Sequence, residues 1–348
     1  MHKKKTRIAQ LAPLWIPIPP RTYGGIELML SELTEELVKQ GYDITLFASG
    51  DSKTSAKFVP VIEKAIWLDH ELKNPHAPVM RMLKEVFDRF YEFDILHNHF
   101  NFFMFPLSLR LDCPRFLTTV HRPVDKQYAE AMKAYHKIKY VAISEDHRRS
   151  IEAFGVPVCD VIYNGIDPVR YEFNDSSGDY LLYLSRLNKE KGVLTAVEVA
   201  KAVGQKLIIA GNSAGNAEWS FFLHEIQPHL HDDNISFRGQ VNFQEKVELL
   251  KNAKALLFPI DRQEPFGLVM IEAMACGTPV IGFRKGSVPE VIEHGKTGFV
   301  VDTNEEMINA IERISAIDRR ACRKAVEEKF SLKQMVDKYE KIYLESEI

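Results

Sequence analysis

The feature that most limits the fold of this chain is a regular alternation of short apolar segments with amphipathic ones. The segment "RIAQLA" (7–12) is typical of a buried strand, and apolar residues then recur at helical spacing from about Ile26 to Gln40. Gly41 ends that predicted helix, and "YDITLFAS" (42–49) is the next predicted strand. Repetition of strand and helix in this order predicts a parallel sheet covered on both faces by helices.

The alternation continues to the end of the chain and is interrupted once. Further strands of the first half are predicted at 94–99, 115–121, 139–144 and 160–164. After the turn-rich stretch "NGIDPVRYEFNDSSGD" the pattern restarts, with strands predicted at 180–187, 205–212, 235–241, 253–260, 278–283 and 298–302. Because 348 residues exceed the usual size of one core, we predict an α/β protein with two Rossmann-like domains facing across a cleft. The predicted boundaries are 1–165 and 166–331.

Composition excludes several classes of function. The net charge of -3 gives no reason to expect nucleic-acid binding, which usually requires a basic face. No apolar run reaches the roughly 20 residues of a membrane span, and four scattered cysteines without CxxC spacing suit a reducing compartment. We therefore expect a cytoplasmic protein. The start "MHKKKTR" is more typical of a solvated terminus than of a membrane tether, although weak peripheral membrane contact stays an alternative.

The stretch "EPFGLVMIEAMACGTPVI" (264–281) predicts an anion site at the start of a helix. It reads as a turn, an apolar helix and the start of a strand. The turn is formed by Pro265, Phe266 and Gly267. The N–H groups that have no partner within the helix belong to Gly267, Leu268 and Val269. Such groups at a helix N-terminus favour a bound phosphate.

Two carboxylates flank this helix start. Glu272 lies inside an otherwise nearly apolar helix, where a carboxylate is costly unless it is hydrogen-bonded. It can accept hydrogen bonds from neighbouring hydroxyls such as those of a ribose. Glu264, before the turn, can do the same for hydroxyls on the far side of the phosphates. The alternative for Glu272 is a solvent-facing helix residue, but its apolar neighbours leave little room for such a face.

Two cations follow the strand predicted at 180–187. Arg186 lies at its end, and Lys191 with Gly192 comes at the entrance of the next helix. Paired cations at this place can neutralise a diphosphate and stabilise it as it leaves, although alone they are more typical of a surface loop. No Asp-x-Asp pair occurs to carry a divalent ion against a sugar diphosphate. We therefore expect neither a metal nor another cofactor.

These segments resemble the retaining glycosyltransferases of family 4, which have the GT-B fold. Residues 264–281 resemble the Glu-x7-Glu signature of that family, and "SRLNKEKG" resembles its Arg and Lys-Gly donor-binding segment. Four further segments fit in the expected order: "GGIE" (24–27), "AISE" (142–145), "NGID" (164–167) and "IEHGKTGFVVD" (292–302). Two departures, Tyr163 before the hinge asparagine and "TVHRP" around His121, make the acceptor side less specific than the donor side.

The resemblance assigns roles to individual residues. It implies that Glu272 holds the ribose, that Arg186 and Lys191 hold the diphosphate, and that Glu264 contacts the transferred sugar. The Gly24-Gly25 loop would close on the phosphates from the other domain, and His121 would reach the sugar. The remaining residues of the predicted donor-binding set are Gly211, Val241, Phe266, Gly267, Leu268 and Val269. The resemblance also implies that the last helix, 331–345, crosses back, so that residues 332–348 belong to the first domain. Because the donor residues lie in the second half and Gly24, Gly25 and His121 in the first, we expect nucleotide binding to favour closure of the cleft.

Two features of the first half have alternative interpretations. His97 and His99 alternate at one strand end and His121 ends the next strand, so the three imidazoles either form a zinc site or line a cleft as hydrogen-bonding groups. We favour the second interpretation. The Gly24-Gly25 pair is either a plain loop or, because it directly precedes a helix, a phosphate contact, which we favour.

The predicted function is transfer of a sugar from a nucleoside diphosphate sugar to an acceptor hydroxyl. UDP is the favoured nucleotide and GDP or ADP the alternative, by family resemblance. An epimerase acting on UDP-N-acetylglucosamine and a catalytically silent binding protein on the same fold are the alternative functions. The acceptor stays open, because its pocket would be built from the loops "PLWIPIPPRTY" and "NHFNFFMF", whose aromatic residues suit either a sugar, a lipid or the core.

Overall fold

A computed structural model describes residues 6–22, 24–110, 113–213 and 215–344. The start 1–5, on which the expected membrane contact depends, and Tyr23 lie outside these residues. Contacts between residues divide the chain into two compact units, Met1–Gly165 with Leu332–Ile348, and Ile166–Ser331.

The first unit contains a seven-stranded parallel sheet. Its strands are β1 Arg7–Leu11, β2 Asp43–Ser49, β3 Lys57–Ile62, β4 Ile95–Asn98, β5 Arg115–Thr119, β6 Lys139–Ala142 and β7 Asp160–Val161. They are arranged in the order β3-β2-β1-β4-β5-β6-β7. The helices among them are α1 Gly25–Lys39, α2 His76–Arg89, α3 Lys126–Ala134 and α4 Glu145–Glu152.

The second unit contains a six-stranded parallel sheet. Its strands are β8 Tyr180–Leu184, β9 Lys206–Ala210, β10 Ile235–Gly239, β11 Ala255–Phe258, β12 Val280–Phe283 and β13 Gly298–Val301, in the order β10-β9-β8-β11-β12-β13. Its helices are α5 Val193–Ala202, α6 Asn216–Phe221, α7 Phe243–Lys251, α8 Leu268–Ala275, α9 Val288–Val291, α10 Asn304–Arg313 and α11 Arg319–Lys329. The last helix, α12, spans Leu332–Leu344 and belongs to the first unit.

Short helical turns complete the chain. Turns of 3-10 helix lie at Ile66–Leu68, Phe90–Glu92, Asn101–Leu109, Pro168–Arg170, Lys189–Lys191, Gln227–His231 and Ile314–Ala316, and a π-helical turn lies at Phe222–Ile226. Within the described ranges, no helix combines the length and the apolar character needed to cross a bilayer.

The predicted α/β class, with two parallel-sheet Rossmann-like units, is confirmed. Each predicted strand is present, with ends that differ by up to three residues. The strand β3 was not predicted; it pairs with β2 at the outer edge of the first sheet and contains Pro60. A proline cannot donate to a sheet ladder, so it is tolerated at an edge and weakens the sequence pattern of a strand.

The C-terminal helix α12 packs into the core of the first unit, as predicted. Its buried side chains, Met335, Val336, Tyr339, Ile342 and Tyr343, share a cluster with residues of α1 and the first sheet. The hydroxyl of Tyr339 lies 2.9 Å from Thr119 Oγ1, and that of Tyr343 lies 2.7 Å from His97 Nδ1. The residues 332–344 therefore belong to this core although they follow the second unit in sequence.

Parallel topology places the loops that follow neighbouring strands along one edge of each sheet. In the second sheet, β8 leads to Arg186 and to the turn Lys189–Lys191, and its neighbour β11 leads to Glu264. On the other side of β8, β9 leads to Gly211 and to α6. The predicted donor residues therefore come from adjacent loops.

Candidate functional site

The turn before α8 is fixed by a glycine and by two hydrogen bonds from Ser287. Gly267 has a φ of +78°, which favours glycine, and a Cβ there would lie 2.9 Å from Met270 Cε. The neighbouring loop holds the turn, since the N–H of Ser287 donates to the Glu264 carbonyl at 3.0 Å and its hydroxyl donates to the Phe266 carbonyl at 2.7 Å. The Phe266 side chain is buried, so only its backbone can face a ligand.

Lys191 and Glu264 form a largely buried ion pair. Lys191 Nζ lies 2.7 Å from Glu264 Oε2, and their side chains are 12% and 13% exposed. Burial lowers the pKa of Lys191, the Glu264 carboxylate opposes this shift, and the cations of Arg262 and Arg186 add to it. The charge of Lys191 therefore depends on Glu264. The sequence predicted separate roles for these two residues and did not predict this dependence.

Arg186 is paired with a carboxylate that the sequence analysis did not identify. Its Nη2 contacts Glu218 Oε1, and Asn188 Nδ2 donates to the same oxygen at 3.0 Å. The Nε of Arg186 and the Oδ1 of Asn212 are buried, and neither has a hydrogen-bond partner within the described residues. The arginine therefore has one buried donor that makes no hydrogen bond to the described residues.

Glycines bring these loops together. A Cβ at Gly192 would lie 1.9 Å from the Pro259 carbonyl oxygen, and one at Gly211 would lie 1.8 Å from that of Ser185. Both glycines thus allow backbone contact between adjacent strand ends. Gly211 has this packing role irrespective of the predicted donor contact. Val241 lies half-buried in the loop that precedes α7.

Glu272 is buried, as its apolar surroundings indicated, but the protein itself supplies partners. The side chain is 6% exposed, and Oε1 contacts Lys246 Nζ at 2.5 Å. The Tyr171 hydroxyl donates to the same oxygen at 2.9 Å. The cost of burying this carboxylate is therefore met without a ribose, while both contacts leave Oε2 for a ligand. Neither Lys246 nor Tyr171 was predicted.

The Gly24-Gly25 loop leads directly into α1. Gly24 precedes the helix with a φ of +152°, and a Cβ there would lie 2.7 Å from Pro20 Cβ. Glu27, in the first turn, is buried, and burial raises its pKa to about 7. Its ionised form disfavours a phosphate at this loop, so binding there would be strongest with Glu27 protonated.

The three histidines of the first sheet cluster as the spacing predicted. The rings of His97 and His99 have centroids 4.1 Å apart, and His99 Nδ1 lies 2.9 Å from His121 Nε2. The other nitrogen of His99 lies 2.9 Å from Gln10 Oε1, and His97 Nε2 lies 2.8 Å from Thr119 Oγ1. Both nitrogens of His97 and of His99 thus have protein partners, which suits the hydrogen-bonding interpretation.

Burial keeps these imidazoles neutral. It lowers the pKa of His97 and of His99 well below the ordinary value. Burial, with His147 nearby, lowers the pKa of His121 to about 3. Within the described part of the chain, no three His, Cys, Asp or Glu side chains have the arrangement of a metal site.

Because these histidines are neutral in the folded protein, we predict that the protein loses stability in acid. At these histidines the unfolded chain takes up protons below a pH of about 6.5 and the folded chain does not. Their contribution to the free energy of unfolding is therefore full above that pH and falls with acidification. Replacing His97, as His97→Gln, should remove about 1.4 kcal/mol of the loss between pH 7.5 and 5.5. Urea midpoints at the two pH values measure this change. The exposed His76, as His76→Gln, is the control, and an equal change in both variants would contradict the prediction.

The aromatic residues of the first unit divide between core and surface. Phe100 is buried, while Phe102 is 45% exposed. Trp15 is half-buried, and its ring centroid lies 5.9 Å from that of Phe100. Phe102 is thus partly accessible to a substrate, and Phe100 is not.

Comparison with known proteins assigns this architecture to a family. The model of Glycosyltransferase Family 4 matches residues 23–170, and that of Glycosyl transferases group 1 matches residues 170–329. The N-acetyl-alpha-D-glucosaminyl L-malate synthase of Bacillus anthracis is 31% identical over 207 residues, which are 52% of this chain and 52% of that protein. The chain thus matches about half the length of that relative.

Solved structures share the fold over nearly the whole chain. Sucrose-phosphate synthase from Thermosynechococcus elongatus has a TM-score of 0.81 at 19% identity, covering 98% of this chain and 99% of that one. Anabaena HepE, solved in complex with UDP-glucose, has a TM-score of 0.77 at 16% identity, covering 97% and 98%. The two family models together span residues 23–329, so the chain belongs to the family 4, group 1 glycosyltransferases and is a transferase enzyme.

Proposed function

We propose that this transferase takes its sugar from a nucleoside diphosphate sugar, with UDP as the favoured nucleotide, and attaches it to an acceptor hydroxyl with retention of configuration. The observation that carries the proposal is the cluster of Arg186, Lys191 and Glu264 beside the N-terminus of α8. Each cation is already partnered by a carboxylate, and one buried donor, Arg186 Nε, stays unused among the described residues. A solved relative in fold holds UDP-glucose, which supports this class of donor.

The geometry suits stabilisation of a departing diphosphate. As the bond between the anomeric carbon and the diphosphate breaks, negative charge grows on the phosphate oxygens and positive charge on the sugar. Arg186, Lys191 and the free N–H groups at the start of α8 meet the negative charge. Glu264 lies beside Lys191 and meets the positive charge. With both charges met by the chain, the proposal requires no metal, in keeping with the absence of Asp-x-Asp from the sequence.

A thermal-shift screen with UDP, GDP and ADP tests the donor. A nucleotide that binds only the folded protein raises the melting temperature, and we expect the largest rise with UDP. Incubation with the corresponding nucleotide sugar and candidate acceptors then tests the reaction. Nucleotide release that requires an acceptor supports transfer, conversion of the sugar without one would indicate an epimerase, and binding without turnover would indicate a silent protein. Activity that is retained in excess chelator would support a reaction that requires no metal.

Glu272 should contribute to donor affinity. In Glu272→Ala we expect binding of the favoured nucleotide to weaken by about 1 to 3 kcal/mol, because a hydrogen bond from the ribose to a charged group is lost. Calorimetric titration measures the change. Tyr171→Phe is the matched control, since it removes the tyrosine hydrogen bond to Glu272 and leaves the carboxylate. Equal affinities of the parent and a folded Glu272→Ala would show that Glu272 only ties α8 to Lys246 and Tyr171.

A further inference from the structure

Glu218 links the two cations of the candidate site. It lies on α6, the helix that follows β9, and its side chain is 13% exposed. One oxygen, Oε1, accepts hydrogen bonds both from Arg186 Nη2 and from Asn188 Nδ2. A carboxylate from a separate helix thus joins two residues of the loop after β8.

Asn188 extends this link to Lys191. Its Oδ1 accepts a hydrogen bond from the N–H of Lys191 at 2.9 Å, which caps the turn Lys189–Lys191. The amide therefore uses its donor end for Glu218 and its acceptor end for the turn. Rotation of Asn188 would break both contacts, so Glu218 also restrains the backbone that carries Lys191.

We propose that Glu218 is a positioning residue, which holds Arg186 directly and the Lys191 turn through Asn188 in the orientation that meets the leaving diphosphate. The inference rests on the proposed function, in which these two cations stabilise that group. An arginine side chain has many rotamers, and fixing one of them before the reaction removes that cost from the transition state. Glu218 occupies Nη2, and the buried Nε of Arg186 has no hydrogen-bond partner among the described residues.

The charge of Glu218 and its hydrogen bonds act in opposite directions. Its negative charge repels a diphosphate and weakens donor binding. Its two accepted hydrogen bonds orient the cations, and this matters most when charge has grown on the leaving group. Loss of the side chain should therefore lower kcat while donor affinity stays equal or improves. Partial unfolding would also lower activity with KM unchanged, so kcat is expressed per folded protein, measured by circular dichroism.

Two substitutions separate these effects. In Glu218→Ala we expect kcat to fall about 30-fold, with the KM for the donor unchanged or lower. In Glu218→Gln the amide oxygen can still accept both hydrogen bonds, so kcat should stay within about threefold of the parent. Glu225→Ala, an exposed carboxylate of the same helical segment, is the control and should match the parent. Glu218→Ala equal to that control, or Glu218→Gln as slow as Glu218→Ala, would overturn the proposal.

Side-chain ¹⁵N NMR of the free protein tests the geometry without any donor. A guanidinium held at Nη2 rotates slowly, so the parent should show a restricted Arg186 signal, assigned through Arg186→Lys, and Glu218→Ala should lose that restriction. An unrestricted signal in the parent would also overturn the proposal. If the parent neither binds nor turns over any nucleotide sugar, the proposed function fails and the positioning role fails with it. Intact donor turnover in Glu218→Ala refutes the positioning role alone.

Discussion

Replacing Lys191 with alanine should lower turnover about 1000-fold, the largest effect we expect from one substitution. Lys191 is the most enclosed cation of the candidate site, with a side chain 12% exposed. A charge in such surroundings is poorly screened by water, and its attraction for the departing diphosphate is correspondingly strong. Binding of the intact donor should weaken less, because charge on the diphosphate is greatest after the bond has broken.

The control for Lys191→Ala is Lys189→Ala. Lys189 is an exposed cation on the same turn, so its removal changes the net charge equally without reaching the site. The fold should survive Lys191→Ala, because Arg262 Nη2 lies 3.6 Å from Glu264 Oε2 and stays as a partner for the carboxylate. Turnover is measured with the nucleotide sugar that stabilises the parent most. A loss below tenfold, with Lys189→Ala unchanged, would remove Lys191 from the leaving-group role.

The architecture was predictable because each buried strand is a short apolar run bounded by turn residues. "AKALLFPI" and "TPVIGF" show this pattern, and they contain β11 and β12. The strand β3 was not predicted because it contains Pro60 and lies at the sheet edge, where it pairs with only one strand, β2. Its stability depends on pairing with β2, which the pattern within residues 57–62 does not report.

The grouping of the candidate residues was predictable where one short motif contains them. Residues 264–272 contain both glutamates and the helix start, so their order alone indicated an anion site with a carboxylate on each side. The partners of those groups were not predictable. Glu218 lies 32 residues from Arg186, and Tyr171 lies 101 residues from Glu272. A glutamate on a polar helix and a tyrosine after a turn carry no sign of such contacts until the fold brings them together.

The histidine cluster shows the same limit. Two-residue spacing at a strand end correctly predicted that His97 and His99 share a face. Their hydrogen-bond partners, Gln10 and Tyr343, come from β1 and α12, at opposite ends of the chain. Tyr339 and Tyr343 of α12 pack against the His97 ring, with centroids 5.0 and 5.8 Å away, and hydropathy within 94–99 does not report this burial.

Glu264→Gln should lower turnover at pH 7.5 by about 100-fold and should also change its pH dependence. In the parent, burial lowers the pKa of Lys191 and the Glu264 carboxylate opposes that shift. Removing the negative charge removes the opposition, so the pKa of Lys191 falls further and the neutral amine forms at a lower pH. In the proposed mechanism activity requires the charged amine, so we expect it to be lost earlier as the pH rises.

The profile of kcat/KM is the measurement, because it reports ionisations of the free enzyme, before a diphosphate raises the pKa of Lys191 again. Its alkaline limb should move to lower pH in Glu264→Gln. Glu190→Gln is the matched control, since Glu190 Oε2 pairs with Arg262 Nη1 at 3.0 Å in the same cluster but is not among the groups that shift Lys191. An alkaline limb at the same pH in the parent and in Glu264→Gln would mean that Glu264 acts on the sugar alone. A shift confined to Glu264→Gln would instead show that one carboxylate serves two ends of the donor, contacting the sugar and keeping the diphosphate-binding lysine charged.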